Sequence, residues 1–227
     1  MIFRQLFDGA SSTYSYLLAD EASRQAVIID PVDTMVARDL QLLQELQLTL
    51  VYSLETHVHA DHVTGGGLLR EKTGCQTALS AAAGVGCADR QLRQGDSIEV
   101  GGIALQVIET PGHTDGCISF YGSGRIFTGD ALLIRGCGRT DFQSGDAGLL
   151  YESITQKILS LPDSTLVYPG HDYRGFTVSS IAEERQLNPR LQFEKSAFVA
   201  HMNGLKLDNP RKMDVAVPAN LACGARK

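Results

Sequence analysis

The chain has 227 residues, 43% of them hydrophobic and 20% charged, with a formal net charge of −6. This suits one large domain, or one domain with a small appendage, and an ordinary enzyme core. An acidic balance with no basic run argues against broad nucleic-acid binding, and no apolar stretch reaches the length of a membrane span.

The first residues, Met1 to Phe7, lead directly into strand-like sequence and lack the order of a secretory signal or a transit peptide. The five cysteines, Cys75, Cys87, Cys117, Cys137 and Cys223, are odd in number and scattered. With no Cys-x-x-Cys pair, they point to reduced thiols in a cytoplasm rather than a disulfide frame.

Three strands are expected over 2–7, 13–19 and 25–30. In the second, Tyr14, Tyr16 and Leu18 alternate with smaller residues, as in a half-buried strand. The third ends at Asp30 before Pro31, where the carboxylate can serve turn chemistry or support a site behind it. Val36, Leu40, Leu43 and Leu46 to Leu48 form a helical stripe over 34–47, with Thr34 as its cap. The run 48–54 is short, apolar and β-rich, so strand, helix, strand makes a crossover and an α/β layer.

Next comes Thr56-His57-Val58-His59-Ala60-Asp61-His62, with three of the six histidines of the chain. Residues i and i+2 of an extended chain point the same way, so His57 and His59 face one point while Asp61 and His62 aim elsewhere. Imidazole and carboxylate at this density are a first-row metal donor set, since a structural role needs no such cluster.

A helix over about 63–73 is stopped by Gly74, and a strand follows over 76–80. Residues 81–94 give no clear pattern. A hairpin over 97–100 and 103–108 turns at Gly101-Gly102 and delivers His113. Strands 117–121 and 125–128 lead to Gly129-Asp130. Residues 131–145 have no regular period and carry Gly136-Cys137-Gly138-Arg139-Thr140-Asp141-Phe142. A helix over 146–160 and a strand over 165–168 end at Pro169-Gly170-His171-Asp172-Tyr173. Helices near 178–187 and 194–202 follow, and the last twenty or so residues, with Pro210 and Pro218, look irregular. His201 falls in a helix and reads as surface or packing.

A strand followed by a loop bearing His or Asp thus recurs at 57–62, 113, 130 and 171. In layered α/β folds the strand ends on one edge form the natural site. Alone, His113, His171 or Asp130 would read as turn residues; together they read as one metal centre.

This order, His-x-His-x-Asp-His, a distant His, Asp after Thr-Gly and His after Pro-Gly, resembles the metallo-β-lactamase superfamily over roughly residues 10–175. The resemblance implies an α/β fold (α+β in some schemes), the αββα sandwich of two mixed sheets flanked by helices. Residues 1–175 would form the core and 176–227 a short helical or irregular extension packed on the same domain. It further implies a first metal position lined by His57, His59 and His113, and a second lined by Asp61, His62 and His171, with Asp130 able to bridge.

Two branches compete. Arg139-Thr140-Asp141-Phe142, His171-Asp172-Tyr173 and the tail, with Asn188-Pro189-Arg190-Leu191 and Val217-Pro218-Ala219-Asn220, look like the persulfide dioxygenase (sulfur dioxygenase) branch, that of the ethylmalonic encephalopathy protein. On that resemblance His57, His113 and Asp130 form a two-histidine, one-carboxylate triad for one Fe(II) per chain, with His59, Asp61, His62 and His171 supporting it. The implied reaction oxidises glutathione persulfide with O2 and water to sulfite and glutathione, a step of sulfur metabolism. Arg139 is the leading anchor for a glutathione carboxylate, Tyr173 a second contact, and Thr140 and Arg174 weaker ones; a salt bridge of Arg139 with Asp141 or Asp146 is the plain alternative. Arg211 and Lys212 read as solvated charges that reach the substrate only from the tail. Cys137 reads as packing, because no adjacent base marks it as a nucleophile.

The competing reading is a dinuclear hydrolase of glutathione thioesters, glyoxalase II-like, with two zinc or iron ions held by the same histidines and aspartates. A non-catalytic metal- or thiol-binding module is the third. The expected partners are glutathione persulfide and O2, with neither nucleic acid nor membrane. Relatives in the branch are often homodimers, but no stripe here identifies an interface.

Overall fold

The computed structural model describes residues 1–208, 210 and 212–224; Arg211 lies outside them. The described residues form two six-stranded sheets. The first contains β1 (Ile2–Asp8), β2 (Thr13–Ala19), β3 (Gln25–Ile29), β4 (Thr49–Leu54), β5 (Gln76–Ser80) and β6 (Arg90–Leu92), in that order. The second contains β7 (Ser97–Val100), β8 (Ile103–Glu109), β9 (Ile118–Gly122), β10 (Arg125–Gly129), β11 (Leu166–Pro169) and β12 (Ser179–Ser180), again in neighbour order.

Both sheets are mixed. Helix α1 (Val36–Glu45) carries the chain from β3 to its parallel neighbour β4, and α2 (Gly66–Thr73) from β4 to parallel β5. Helix α3 (Ala147–Glu152) continues as a π-type turn over Ser153–Ile158 between parallel β10 and β11. Helices α4 (Ile181–Leu187), α5 (Lys195–Asn203) and α6 (Met213–Leu221) follow.

The sheets face each other through Tyr14, Tyr16, Leu18, Val27, Ile29 and Leu54 on one side and Ile98, Leu105, Val107, Phe120, Phe127 and Tyr168 on the other. Aromatic rings fill the centre, with Tyr16 and Phe127 at 5.0 Å and Phe3 and Tyr168 at 4.9 Å between centroids. Leu17, Ala26, Ile28 and Leu50 turn outward against Val36, Leu43 and Leu69 of the first helical layer. Ile126 and Val167 do the same against Leu150, Ile154 and Phe198 of the second. The result is the expected αββα sandwich, in which each strand face buries against another layer.

Several expectations change. Strand β2 is buried on both faces, not one, because α1 covers the side bearing Leu17 and Ala19. Thr34 does not cap α1; a 3-10 turn over Asp33–Met35 precedes the helix. β6 lies within residues 81–94, which show no clear pattern in sequence. The tail holds α6, a helix that tolerates Pro218 near its end, in place of an irregular segment. Cys87 and Cys223 form a disulfide, which corrects the reading of all five thiols as reduced; Cys75, Cys117 and Cys137 are free and buried. Helix α6 brings together two cysteines 136 residues apart, a pairing that spacing alone cannot reveal. No helix among the described residues is long and apolar enough to cross a membrane.

Candidate metal centre

The histidine- and aspartate-bearing loops leave the ends of β4, β8, β10 and β11 at one edge of the sandwich, where main-chain bonds stitch the two sheets together. Ile118 N donates to Thr56 O at 2.8 Å, and Tyr14 N donates to Gly170 O at 2.8 Å. Gly129, at φ 51°, ends β10 in the left-handed region, and a Cβ there would lie 2.4 Å from Thr56 Oγ1. Glycine is therefore required to bring Asp130 against the β4 loop. Gly138 has the same steric role on the other side, since a Cβ there would lie 2.9 Å from His113 Nδ1.

The hydrogen bonds fix which nitrogen of each ring is bare. Thr56 gives its only hydroxyl proton to Asp30 Oδ2 at 2.8 Å, so at 3.0 Å its lone pair accepts from His57 Nδ1. Arg139 O can only accept, so His113 Nδ1 at 2.7 Å must donate to it. Both rings are thereby held with Nε2 free of hydrogen. Asp130 Oδ1 accepts from His171 Nδ1 at 2.7 Å, while its Oδ2 stands 3.7 Å from His113 Nε2, too far for a hydrogen bond. One donor atom from each of His57, His113 and Asp130 lies within 4.8 Å of the others. Three lone-pair atoms converging without a proton between them, in buried surroundings, fit a metal cation.

His59, Asp61 and His62 form a second group with the same spread. Their atoms are largely engaged. Asp61 Oδ2 is 3.0 Å from both His62 Nδ1 and His171 Nε2. His59 Nε2 sits between Asp30 Oδ1 at 3.2 Å and Glu55 Oε2 at 3.3 Å. His59 Nδ1 and His62 Nε2 are buried without a hydrogen-bond partner among the described residues. Asp30 thus serves both Thr56 and His59, settling its role toward the site.

The electrostatics follow the contacts. Burial, reinforced by the His59 and His113 rings, holds His57 well below the ordinary histidine range. Burial also opposes charge on His171, but Asp130 and Asp61 on its two nitrogens outweigh it and raise its pKa well above that range. Asp130 and Asp61 are in turn held low, because His171 beside them outweighs their burial.

A cavity of about 900 Å³ opens over the triad, with Leu133, Ile134, Cys137, Phe142 and Leu207 in its wall. Arg139 lines it, but the guanidinium is engaged. Its Nε and Nη2 donate to the two oxygens of Asp141, each at 2.6 Å, and Nη1 donates to Asp208 O at 2.6 Å. The ring of Phe142 lies 4.6 Å beneath it. Arg174 also lines the cavity, donating to Ile134 O and stacking over Phe176. Tyr173 is 73% exposed at the cavity and lies parallel to the His171 ring at 6.1 Å. Thr140 is buried outside the cavity lining. Lys212 reaches the lining, and its ammonium has no partner among the described residues. His201 packs on Phe193 away from the site.

The family model of the metallo-beta-lactamase superfamily matches residues 8–171. The chain belongs to the metallo-β-lactamase superfamily. Within the superfamily it is 52% identical to the mitochondrial persulfide dioxygenase ETHE1 of Homo sapiens, over the whole of this chain and 90% of that one. The crystal structure of ETHE1 from Myxococcus xanthus superposes with a TM-score of 0.97 at 56% identity, over 99% of this chain and 100% of that one. A probable hydroxyacylglutathione hydrolase of Schizosaccharomyces pombe is more distant, at 32% identity over 87% of this chain and 75% of its own.

Four parts of this superfamily site escape the sequence reading. Arg139 acts on His113 through its main-chain oxygen, which no side-chain motif encodes. Thr56 sets the His57 tautomer; its place beside the histidine was the available signal. Glu55 faces His59, four residues on, from the one position between the 48–54 strand and the Thr56–His62 cluster. Asn220 reaches the loop from α6.

Proposed function

We propose that this protein is an iron-dependent persulfide dioxygenase that oxidises glutathione persulfide with O2 and water to sulfite and glutathione. The observation that carries the reading is the convergence of one ligand atom each from His57, His113 and Asp130 within 4.8 Å, with Nε2 of both rings left bare, in a chain 52% identical to a persulfide dioxygenase over its full length. When bound, a ferrous ion on such a triad supplies open coordination positions and the one-electron chemistry that O2 requires.

The residues do the rest. Thr56 and Arg139 O fix the two imidazoles, and His171 holds one oxygen of Asp130 so that only the other faces the centre. The bond between the two sulfurs of the persulfide breaks; glutathione leaves with a thiol, and the outer sulfur leaves as sulfite after gaining three oxygens from O2 and water. The apolar wall of Leu133, Ile134 and Cys137 suits the sulfane sulfur. Tyr173 and Lys212 stand at the mouth for the peptide part and a carboxylate. Arg139, being engaged by Asp141, supports substrate by holding the segment of Leu207 and Asp208 over the cavity. Residues 1–175 act as the core of this unit and 176–227 as its extension, since Asp208, Lys212 and Asn220 all reach the site. The Cys87–Cys223 pair removes the thiol argument for a cytoplasmic location, and the human relative is named mitochondrial.

The buried, unpartnered His59 Nδ1 and His62 Nε2 favour a second reading, a dinuclear thioester hydrolase. Oxygen-electrode assays on the iron-loaded protein separate the two. Uptake of one O2 per glutathione persulfide, with sulfite formed, is expected. No uptake, alongside rapid hydrolysis of a glutathione thioester, would overturn the proposal.

A further inference from the structure

Helix α6 places one amide against the main chain of the metal loop. Asn220 is buried, and its Nδ2 donates to His59 O at 2.8 Å and to His62 O at 2.9 Å, while its Oδ1 accepts from Thr64 N at 2.8 Å. The amide uses both N–H groups and its carbonyl, so its orientation is fixed: a flip would set an NH2 against Thr64 N and an oxygen against two carbonyls. Residues 55–65 form no helix or strand, and among the described residues no main-chain N–H reaches His59 O or His62 O. Buried carbonyls need partners, and here a side chain more than 150 residues downstream supplies them.

The helix is itself firmly seated. Ala216 and Ala219 pack on Val63. Gly224 approaches the loop so closely that a Cβ would lie 2.6 Å from Thr64 O, and Cys223 is covalently tied to Cys87.

We propose that Asn220 is a positioning residue of the metal centre, one that sets the main-chain path of residues 59–64 and thereby the affinity and geometry of the site. It touches neither metal nor substrate. The inference rests on reading His57, His113 and Asp130 as a metal site.

The test uses full-length apoprotein titrated with Co(II) alone, followed by its visible d–d bands. Asn220→Asp keeps the shape and the acceptor for Thr64 but removes both donors; Asn220→Ala removes all three bonds. Ile158→Ala, a core truncation under the opposite sheet, controls for general destabilisation. Both Asn220 variants are expected to bind Co(II) about 10-fold more weakly, at the low end for groups that orient a metal site, with shifted d–d bands, because the segment they release starts two residues after the ligand His57. Ile158→Ala should melt at lower temperature yet bind Co(II) as the wild type does. Wild-type affinity and bands in both Asn220 variants would overturn the proposal, as would equal weakening in Ile158→Ala. A wild-type protein that takes up no Co(II) would instead remove the metal-site reading on which it stands.

Discussion

His171 bridges two carboxylates, its Nδ1 lying 2.7 Å from Asp130 Oδ1 and its Nε2 3.0 Å from Asp61 Oδ2. With both nitrogens committed, the ring orients Asp130 rather than serving as a bare ligand. His171→Ala should therefore leave the His57 and His113 donors in place but free Asp130 to rotate. Iron affinity is expected to fall about 10- to 100-fold, measured by competition with a chelator. Unchanged affinity would show that Asp130 needs no such brace.

Arg139 divides its work between its main chain and its side chain. The main-chain oxygen holds His113 and survives any substitution, whereas the guanidinium ties Asp141 to the tail segment. Arg139→Ala should raise the apparent KM for the glutathione adduct several-fold with iron content intact. Loss of iron would show that the side chain, too, serves the metal loop. Lys212→Ala is expected to raise KM in the same assay without changing kcat.

The cysteine pairing is open to counting. Alkylation in denaturant without reductant should add three adducts, on Cys75, Cys117 and Cys137, and five after reduction. Intact-mass measurement reads both, and five adducts without reductant would exclude the disulfide.

Cys117 gives a pH signature. Burial pushes its thiol from 9.0 up to about 12, against the opposing hydrogen bonds from Thr114. The folded state thus keeps a proton that the unfolded chain releases. This contribution to stability is complete below about pH 9 and fades as pH rises toward 12. Chemical denaturation across that range should show stability falling more steeply in the wild type than in Cys117→Ala. Equal slopes would mean that Cys117 ionises as freely in the fold as outside it.

The strands and the donor loops were legible in the sequence because each is a short apolar run that stops at His or Asp, a pattern that needs no tertiary knowledge. The tail was not. Helix α6 lacks a stripe, since Ala216 and Ala219 face the loop while Val215 and Leu221 face solvent, and Pro218 reads as a breaker. Three-residue β6 is held by pairing with β5 rather than by its own propensity. The Arg139 salt bridge with Asp141 was legible two residues along the chain, whereas its carbonyl partners, Leu207 and Asp208, lie 68 and 69 residues away and carry no side-chain signature. Contacts to main chain across such distances are written in the fold alone.

We propose one metal per chain, held by His57, His113 and Asp130. Metal counting by mass spectrometry on the wild type and four single variants tests it directly. The wild type and His62→Ala should each hold one iron per chain, while His57→Ala, His113→Ala and Asp130→Ala should hold almost none. Two metals per chain in the wild type, or iron retained by the triad variants and lost from His62→Ala, would contradict a single metal on the triad.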